Sequence, residues 1–189
     1  MPEPTRAERV DAAFAACPRT RHLPPSQVEQ AGLDRALPIG FGQTNSQPTT
    51  VRDMLLALDV RVGQRVLDVG SGSGWTTVLL AHLVGPTGRV VGIERVPELV
   101  TMGAAAVAQA GMPWASVQAA TPGVLGDPSG APYDRILVSA MADGIPQQLR
   151  AQLTPDGVLV VPADGVLWRV DRDRELALGR YLFVPLVPD

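Results

Sequence analysis

The stretch that decides the fold is Val66-Leu67-Asp68-Val69-Gly70-Ser71-Gly72-Ser73-Gly74. Its first four residues are apolar apart from one acid, and three glycines follow at alternate positions. The apolar run Trp75–Val84 begins directly after the last glycine. This order predicts a buried strand, a tight turn and a helix, as at the start of a βαβ unit. Glycines allow positive φ angles and a close approach of the backbone to a ligand.

Downstream of this turn, runs with strand character alternate with runs of helical spacing. The predicted helices are Trp75–Val84, Pro97–Ala110 and Pro146–Leu153. The predicted strands are Arg65–Val69, Arg89–Glu94, Trp114–Ala119, Arg135–Ala140 and Gly157–Pro162, followed by a closing hairpin of Val166–Val170 and Tyr181–Leu186 around Arg172–Glu175. This alternation predicts an α/β fold: a doubly wound, mainly parallel, Rossmann-like sheet with helices on both faces and a C-terminal antiparallel hairpin.

Residues 1–60 have the pattern of a helical and loop preface to a core at 61–189, and the chain 1–189 is expected to form a single domain. Helical spacing covers Thr5–Cys17 and Thr49–Leu58. Ser26 is expected to cap a short helical stretch, and Leu37–Pro48 has the composition of a loop.

The composition excludes several classes of function. A net charge of −3 argues against a broad nucleic-acid surface, which needs a basic face. The single cysteine, Cys17, provides neither a disulfide framework nor a cluster of thiolates, and no metal is expected. No apolar run approaches the roughly 18 residues of a membrane span, and no secretory signal is visible. We therefore expect a cytoplasmic monomer that binds neither nucleic acid nor membrane.

The residues around the glycine turn indicate which cofactor it binds. The spacing is G-x-G-x-G, and Trp75 stands where the dinucleotide fingerprint has its third glycine. Asp68 would disfavour a pyrophosphate but suits the ammonium group of an amino acid. Glu94, at the end of the second predicted strand, can accept hydrogen bonds from ribose hydroxyls. These features favour S-adenosylmethionine over a nicotinamide dinucleotide; the plainer alternative is a structural turn, with Glu94 as a solvated strand end.

The segment Leu37-Pro38-Ile39-Gly40-Phe41-Gly42-Gln43-Thr44-Asn45-Ser46-Gln47-Pro48 resembles the loop before the first strand in protein-L-isoaspartate O-methyltransferases, where the pattern is close to LPIGxGQTISQP. Other segments agree with that family in order and spacing, so that the resemblance covers nearly the whole chain: Leu23-Pro24-Pro25, Val66–Gly74, Gly92–Leu99, Ala131–Asp134 and Phe183–Leu186.

The resemblance implies transfer of a methyl group from S-adenosylmethionine to the α-carboxylate of an L-isoaspartyl residue in an aged protein or peptide, with S-adenosylhomocysteine as product. The ester then cyclises to a succinimide without further enzymatic help. The family's active-site serine falls on Ser46, and Thr44 is the second candidate active-site hydroxyl. The implied cofactor-binding residues are Gln43, Thr44, Asn45, Ser46, Asp68, Gly70, Ser71, Gly72, Gly74, Glu94 and Gly123.

Methylation of a carboxylate requires few catalytic groups, because the carboxylate is already ionised at neutral pH. It needs no general base and no metal, so catalysis would come mainly from aligning the acceptor oxygen with the methyl donor. The hydroxyls of Thr44 and Ser46 could hold the acceptor. Spacing alone allows another interpretation for Ser46, which is a helix N-cap just before Gln47-Pro48.

Two positions depart from the family pattern. Asn45 stands where the family usually has isoleucine, which would add a polar group beside the substrate site. Thr121-Pro122 replaces the first two residues of the family's GDGxxG motif, whose acid contacts the adenine amino group, and Pro122 offers neither a carboxylate nor an N–H. These departures leave two alternatives open: a methyltransferase for another peptide or small carboxylate, and a binding relative without activity.

Overall fold

A computed structural model describes residues 3–186 of the chain. In that range the α-helices are α1 (Arg6–Ala16), α2 (Pro48–Leu58), α3 (Trp75–Val84), α4 (Pro97–Gln109) and α5 (Gln147–Arg150). The strands are β1 (Leu37–Gly40), β2 (Gln43–Asn45), β3 (Arg65–Val69), β4 (Arg89–Glu94), β5 (Ala115–Ala119), β6 (Tyr133–Val138), β7 (Leu153–Ala163), β8 (Val166–Val170) and β9 (Glu175–Arg180). Two short 3₁₀ helices, Arg19–His22 and Pro25–Gln30, connect α1 to β1.

The main sheet has seven strands in the order β5-β4-β3-β6-β7-β8-β9. Strands β3 to β7 pair in parallel, whereas β8 and β9 are antiparallel additions at one edge. The winding changes direction between β3 and β6, which are neighbours in the sheet but far apart in sequence. Ligands of such sheets bind at the carboxyl ends of the strands beside this switch point. The predicted fold class is confirmed.

Side chains of β3 alternate between two buried layers, as a strand covered on both faces requires. Val66 packs into a cluster with α1, α2 and α3, whereas Leu67 and Val69 pack into a second cluster with β6 and β7 on the opposite face. Helix α3 is buried at all but one of its ten positions, which explains why its sequence is apolar nearly throughout. The glycine turn is therefore set between two packed elements.

The N-terminal preface is fixed to this core by side chains of α1 and α3. Helix α1 begins with a capping box, in which Thr5 accepts from the Glu8 N–H and Glu8 accepts from the Thr5 N–H. Trp75, which starts α3, is buried; its Nε1–H donates to the Cys17 carbonyl at 3.0 Å, and its ring meets the edge of Phe14. The side chain thus anchors the preface to the helix that follows the glycine turn.

Two predictions at the edges of the fold are wrong. The segment Leu37–Pro48, predicted as a loop, contains the antiparallel hairpin of β1 and β2. The second strand of the closing hairpin lies at β9 and not at Tyr181–Leu186. Every residue of β9 is exposed, so this strand lacks the buried apolar face on which sequence patterns depend. Tyr181 and Phe183 instead pack against the core beyond the end of β9.

Smaller corrections concern helix ends. Ser26 is not a cap, because the 3₁₀ helix Pro25–Gln30 begins before it and has no side-chain cap. Helix α5 ends at Arg150, so the predicted Pro146–Leu153 helix is too long. No helix among residues 3–186 is long and apolar enough to cross a membrane.

Candidate active site

A cavity of about 730 Å³ opens at the carboxyl ends of β3, β4 and β6, where the winding of the sheet reverses. One side is formed by the glycine turn and the end of β4, through Gly70, Gly72 and Glu94. Residues Gln43 and Thr44 of β2 form another part of the wall. The cavity therefore joins the two sequence motifs that were predicted to act together.

The glycine turn needs its glycines for conformation and for space. Gly70, Gly72 and Gly74 have φ angles of 74°, 52° and 81°, in the left-handed region that favours glycine. A Cβ at Gly74 would lie 3.0 Å from the Gly103 carbonyl oxygen of α4. The turn is closed by two backbone bonds, from the N–H groups of Gly70 and Ser71 to the Ile93 carbonyl. Gly70 and Gly72 line the cavity, whereas Ser71 and Gly74 do not.

Asp68 is fully buried beneath this turn. Its Oδ2 accepts bonds of 2.7 Å from the hydroxyls of Thr76 and Thr77 in the first turn of α3, while Oδ1 has no hydrogen-bond partner in the part of the chain that the structure describes. Burial raises the pKa of Asp68 to about 6, against the opposing effect of the two hydroxyls. The side chain does not line the cavity, so its contact with a cofactor stays a prediction.

Glu94 ends β4 and lies in the cavity wall, nearly buried. Its Oε2 accepts the Gly72 N–H at 2.9 Å, and its Oε1 accepts the N–H groups of Arg95 and Val96 at 2.8 and 2.9 Å. These bonds fix the carboxylate and tie the end of β4 to the glycine turn. A carboxylate has about four acceptor positions, and these N–H groups use two on Oε1 and one on Oε2, so Oε2 retains capacity for a ribose hydroxyl.

The hairpin of β1 and β2 brings only part of the predicted acceptor site to the cavity. Gln43 and Thr44 line it, but Asn45 and Ser46 do not. Asn45 points away into a buried polar cluster with Arg19 and Ser73, so the prediction that it adds a polar group beside the substrate is wrong. The N-cap interpretation of Ser46 is also wrong, because Gln47 holds that position in α2 without a side-chain bond.

The wall that the family resemblance predicts to face the adenine includes residues 120, 121, 123–126 and 128, but not Pro122. The buried Gln152 holds this segment: its amide NH₂ donates to the Leu125 carbonyl, and its amide oxygen accepts the Asp127 N–H, both at 2.8 Å. An apolar wall fixed by a buried glutamine therefore stands where the family motif would supply an acid. Gln152 has no recognisable motif around it in the sequence.

Unpartnered polar atoms test whether a cofactor fits this site. Three buried side-chain oxygens have no hydrogen-bond partner among residues 3–186: Asp68 Oδ1, Ser71 Oγ and Ser139 Oγ. Buried polar groups are almost always paired, so such atoms indicate a missing ligand or water. Ser139 lines the cavity directly after β6, and its N–H bonds the Val69 carbonyl beside the turn. Of the three residues only Ser139 lines the cavity, and its hydroxyl fits the amino-acid end of a ligand; Asp68 and Ser71 do not line the cavity.

Sequence reasoning missed Ser139, although a usable signal was present. The predicted strand Arg135–Ala140 included Ser139, whereas β6 ends at Val138 and leaves Ser139 at its carboxyl end. The carboxyl ends of parallel strands meet at one edge of the sheet, where ligands bind. As for metals, no group of three His, Cys, Asp or Glu side chains in the described range is arranged to hold an ion.

Comparison with known proteins agrees with this geometry. The family model described as protein-L-isoaspartate(D-aspartate) O-methyltransferase matches residues 4–188. A protein-L-isoaspartate O-methyltransferase of Methanothrix thermoacetophila is 40% identical over 187 residues, which cover 96% of this chain and 89% of the relative. One from Anaeromyxobacter dehalogenans is 48% identical over 158 residues, covering 83% and 74%.

Solved structures show the same fold. A protein-L-isoaspartate O-methyltransferase superposes with a TM-score of 0.85 at 23% identity over 95% of this chain, which spans 61% of that longer protein. A Plasmodium falciparum structure, named for the same activity and solved with S-adenosyl-L-homocysteine, gives a TM-score of 0.81 at 23% identity, covering 96% and 91% of the two chains. By the match over residues 4–188 and the identity to these relatives, the chain belongs to the protein-L-isoaspartate O-methyltransferase family.

Proposed function

We propose that this chain transfers a methyl group from S-adenosylmethionine to the α-carboxylate of L-isoaspartyl residues in aged proteins or peptides. The observation that carries the proposal is that one cavity joins the glycine turn and Glu94 to the hydroxyl-bearing strand β2. Family membership supplies the reaction, and the cavity supplies a place for donor and acceptor to meet.

The cofactor's residues are proposed from the contacts around the cavity. Glu94 would accept a hydrogen bond from a ribose hydroxyl through Oε2, and the backbone of Gly70 and Gly72 would approach the amino-acid end closely. S-adenosylmethionine, when bound, supplies an electrophilic methyl group and leaves as S-adenosylhomocysteine. The remaining members of the proposed cofactor set, some of which do not line the cavity, are Gln43, Ser46, Asp68, Ser71, Gly74 and Gly123. Asn45 leaves this set, because its side chain bonds Arg19 and Ser73 instead.

Three oxygens without partners support an additional polar contact at the amino-acid end. Ser139 Oγ lines the cavity and would donate to the carboxylate of the cofactor or accept from its ammonium. Asp68 Oδ1 lies deeper, beneath the turn. We propose that Asp68 acts mainly by fixing Thr76 and Thr77 at the start of α3, which holds the turn in its ligand-ready shape.

The acceptor requires orientation and little else. Its carboxylate is ionised at neutral pH and attacks without a base. Thr44 lines the cavity and would hold one acceptor oxygen; Ser46 stays a proposed active-site hydroxyl on the strength of family resemblance. Holding the acceptor carboxylate in line with the methyl donor raises the rate, because binding has already removed the translational and rotational freedom that the reaction would otherwise lose. The ester then cyclises with release of methanol, and water opens the succinimide to aspartyl or isoaspartyl products.

The second candidate function is methylation of another peptide or small carboxylate. It rested on the departures from the family pattern at Asn45 and Pro122, and Asn45 no longer supports it because this residue lies outside the cavity wall. Pro122 remains as the other, in the exposed segment before Gly123. The substrate class is therefore a protein or peptide. We further propose that 1–189 is one domain, and that the chain is a cytoplasmic monomer that binds neither nucleic acid nor membrane, as its acidic charge and cysteine content suggest.

The test is incubation with methyl-labelled S-adenosylmethionine and a peptide made in two forms, isoaspartyl and aspartyl. The proposal predicts a labelled, base-labile ester on the isoaspartyl form, which decays to labelled methanol as the succinimide appears. Ester on both forms alike would favour another acceptor. Binding of S-adenosylhomocysteine by calorimetry, without label transfer to either form, would favour an inactive relative.

A further inference from the structure

The Arg19 guanidinium is buried, and Asp34 lies near enough to favour its charged form but not to form an ion pair with it. Only 5% of the residue is exposed, and no ion pair to Arg19 occurs among the described residues. Burial lowers the pKa of Arg19 to about 10, which reflects the cost of keeping this cation away from water. A buried cation is retained only where dense hydrogen bonding offsets that cost. The hydrogen-bond acceptors of Arg19 should therefore indicate why this buried cation is retained.

Its acceptors flank the β1–β2 hairpin on both sides. Before the hairpin, Nη1 and Nη2 donate to the carbonyl oxygens of Leu33 and Arg35 at 3.1 and 2.8 Å. After it, Nη2 donates to the carbonyl oxygens of Asn45 and Ser46, both at 2.9 Å. The one side chain thus closes the base of the hairpin whose strand β2 presents Thr44 to the cavity.

Asn45 extends this link to the glycine turn. Its side-chain oxygen accepts from Arg19 Nε at 2.7 Å, and its NH₂ donates to Ser73 Oγ at 3.2 Å. His22, three residues after Arg19 in the same 3₁₀ helix, lies with Nδ1 3.1 Å from the Ser73 carbonyl oxygen. Because that oxygen is an acceptor, Nδ1 carries the proton. The helix Arg19–His22 therefore holds the hairpin and the cofactor turn at the same time.

We infer that Arg19 and Asn45 are positioning residues, which fix the acceptor hydroxyls of β2 relative to the glycine turn. The inference rests on the proposed function. It identifies the residues that set the distance between the acceptor site on β2 and the donor site at the glycine turn. Neither residue lines the cavity, so neither should contribute directly to cofactor affinity. Misplacing an oriented acceptor by about an ångström costs up to roughly a hundredfold in rate, so the expected effect falls on kcat.

The variants are Arg19→Lys, which keeps the charge but loses the planar array of donors, and Asn45→Leu, which resembles the amide in shape but removes both of its hydrogen bonds. Arg52→Lys is the matched control, because Arg52 makes an exposed pair with Asp11 between α1 and α2. Measurements are kcat and KM for an isoaspartyl peptide, calorimetric affinity for S-adenosylhomocysteine, and amide hydrogen exchange over residues 37–46. Asn45→Leu keeps a side chain of similar size and serves as the test if Arg19→Lys fails to fold.

We expect kcat to fall at least roughly tenfold in both variants, with S-adenosylhomocysteine affinity unchanged and faster exchange confined to the hairpin. The control should match the parent protein throughout. An unchanged kcat, or a cofactor affinity that falls in step with kcat, would overturn the inference. If the parent protein itself lacks isoaspartyl turnover, the proposed function fails separately. Unchanged hydrogen exchange of the hairpin in Asn45→Leu would then still refute the link between the hairpin and the turn.

Discussion

Asp68→Asn should change how the stability of this protein depends on pH. Asp68 is completely buried, and its pKa is raised to about 6 from 3.8 mainly by desolvation. A carboxyl group with a raised pKa in the folded state stabilises the fold while it is protonated and loses that contribution as it ionises. Folding therefore becomes less favourable as the pH rises from about 4 to about 6, and asparagine removes this dependence.

The size of the effect follows from the shift in pKa. One pKa unit corresponds to about 1.4 kcal/mol, so the shift from 3.8 to about 6 amounts to roughly 3 kcal/mol. Below about pH 3 the carboxyl is protonated in both the folded and the unfolded states, and above about pH 7 it is ionised in both. The difference in unfolding free energy, parent minus Asp68→Asn, should thus fall by roughly 3 kcal/mol across that window.

Urea denaturation followed by circular dichroism at half-unit steps from about pH 3 to about pH 7.5 measures this difference. Other titrating groups are shared by both proteins and cancel in the subtraction. The same series on Asp156→Asn, an exposed carboxylate, gives the baseline for an aspartate-to-asparagine change outside the core. A difference that stays constant with pH, or rises with it, would refute the placement of a buried carboxylate beneath the glycine turn.

Three further changes test the packing and the cofactor contacts. Gly92→Ala would place a Cβ 2.7 Å from Thr77 Oγ1, so the unfolding free energy should fall by roughly 1–3 kcal/mol in urea; an unchanged value contradicts the close fit of β4 to the turn. Gln152→Leu leaves the Asp127 N–H unpaired and should lower stability by about 1–3 kcal/mol while weakening S-adenosylhomocysteine binding in calorimetry; full affinity would show that the glutamine does not shape the wall. Glu94→Gln should weaken that binding by about 10- to 100-fold in a protein of unaltered circular dichroism, and equal affinity would exclude the ribose contact.

The centre of the fold was predictable because its signals are local. Helix α3 and strands β3 and β4 have the predicted bounds, since glycines end the first strand and a continuous apolar run forms the helix. The hairpin of β1 and β2 was not predictable in this way. Pro38 and the nearby glycines are poor strand formers, and the hairpin depends on burial of Leu37 and Ile39 against distant parts of the chain.

The residues of the candidate site likewise divide into those with a local sequence motif and those without one. Gly70, Gly72, Glu94 and Thr44 were predicted from motifs and lie in the cavity wall. The interior polar groups were not predicted, because their partners are remote in sequence: Arg19 bonds to residues up to 27 positions away, and Gln152 to a residue 27 positions before it. Side chains that hold a site together through hydrogen bonds to distant residues have no sequence motif of their own.

The most direct test of the central claim is competition between isoaspartyl and aspartyl forms of one peptide in a single reaction. Both are mixed at equal concentration with S-adenosylmethionine, and loss of each is followed by chromatography and mass spectrometry. The ratio of the two rates gives the ratio of kcat/KM without any correction for active enzyme. The account predicts consumption of the isoaspartyl form alone; equal consumption of the two forms, or none of either, would contradict it.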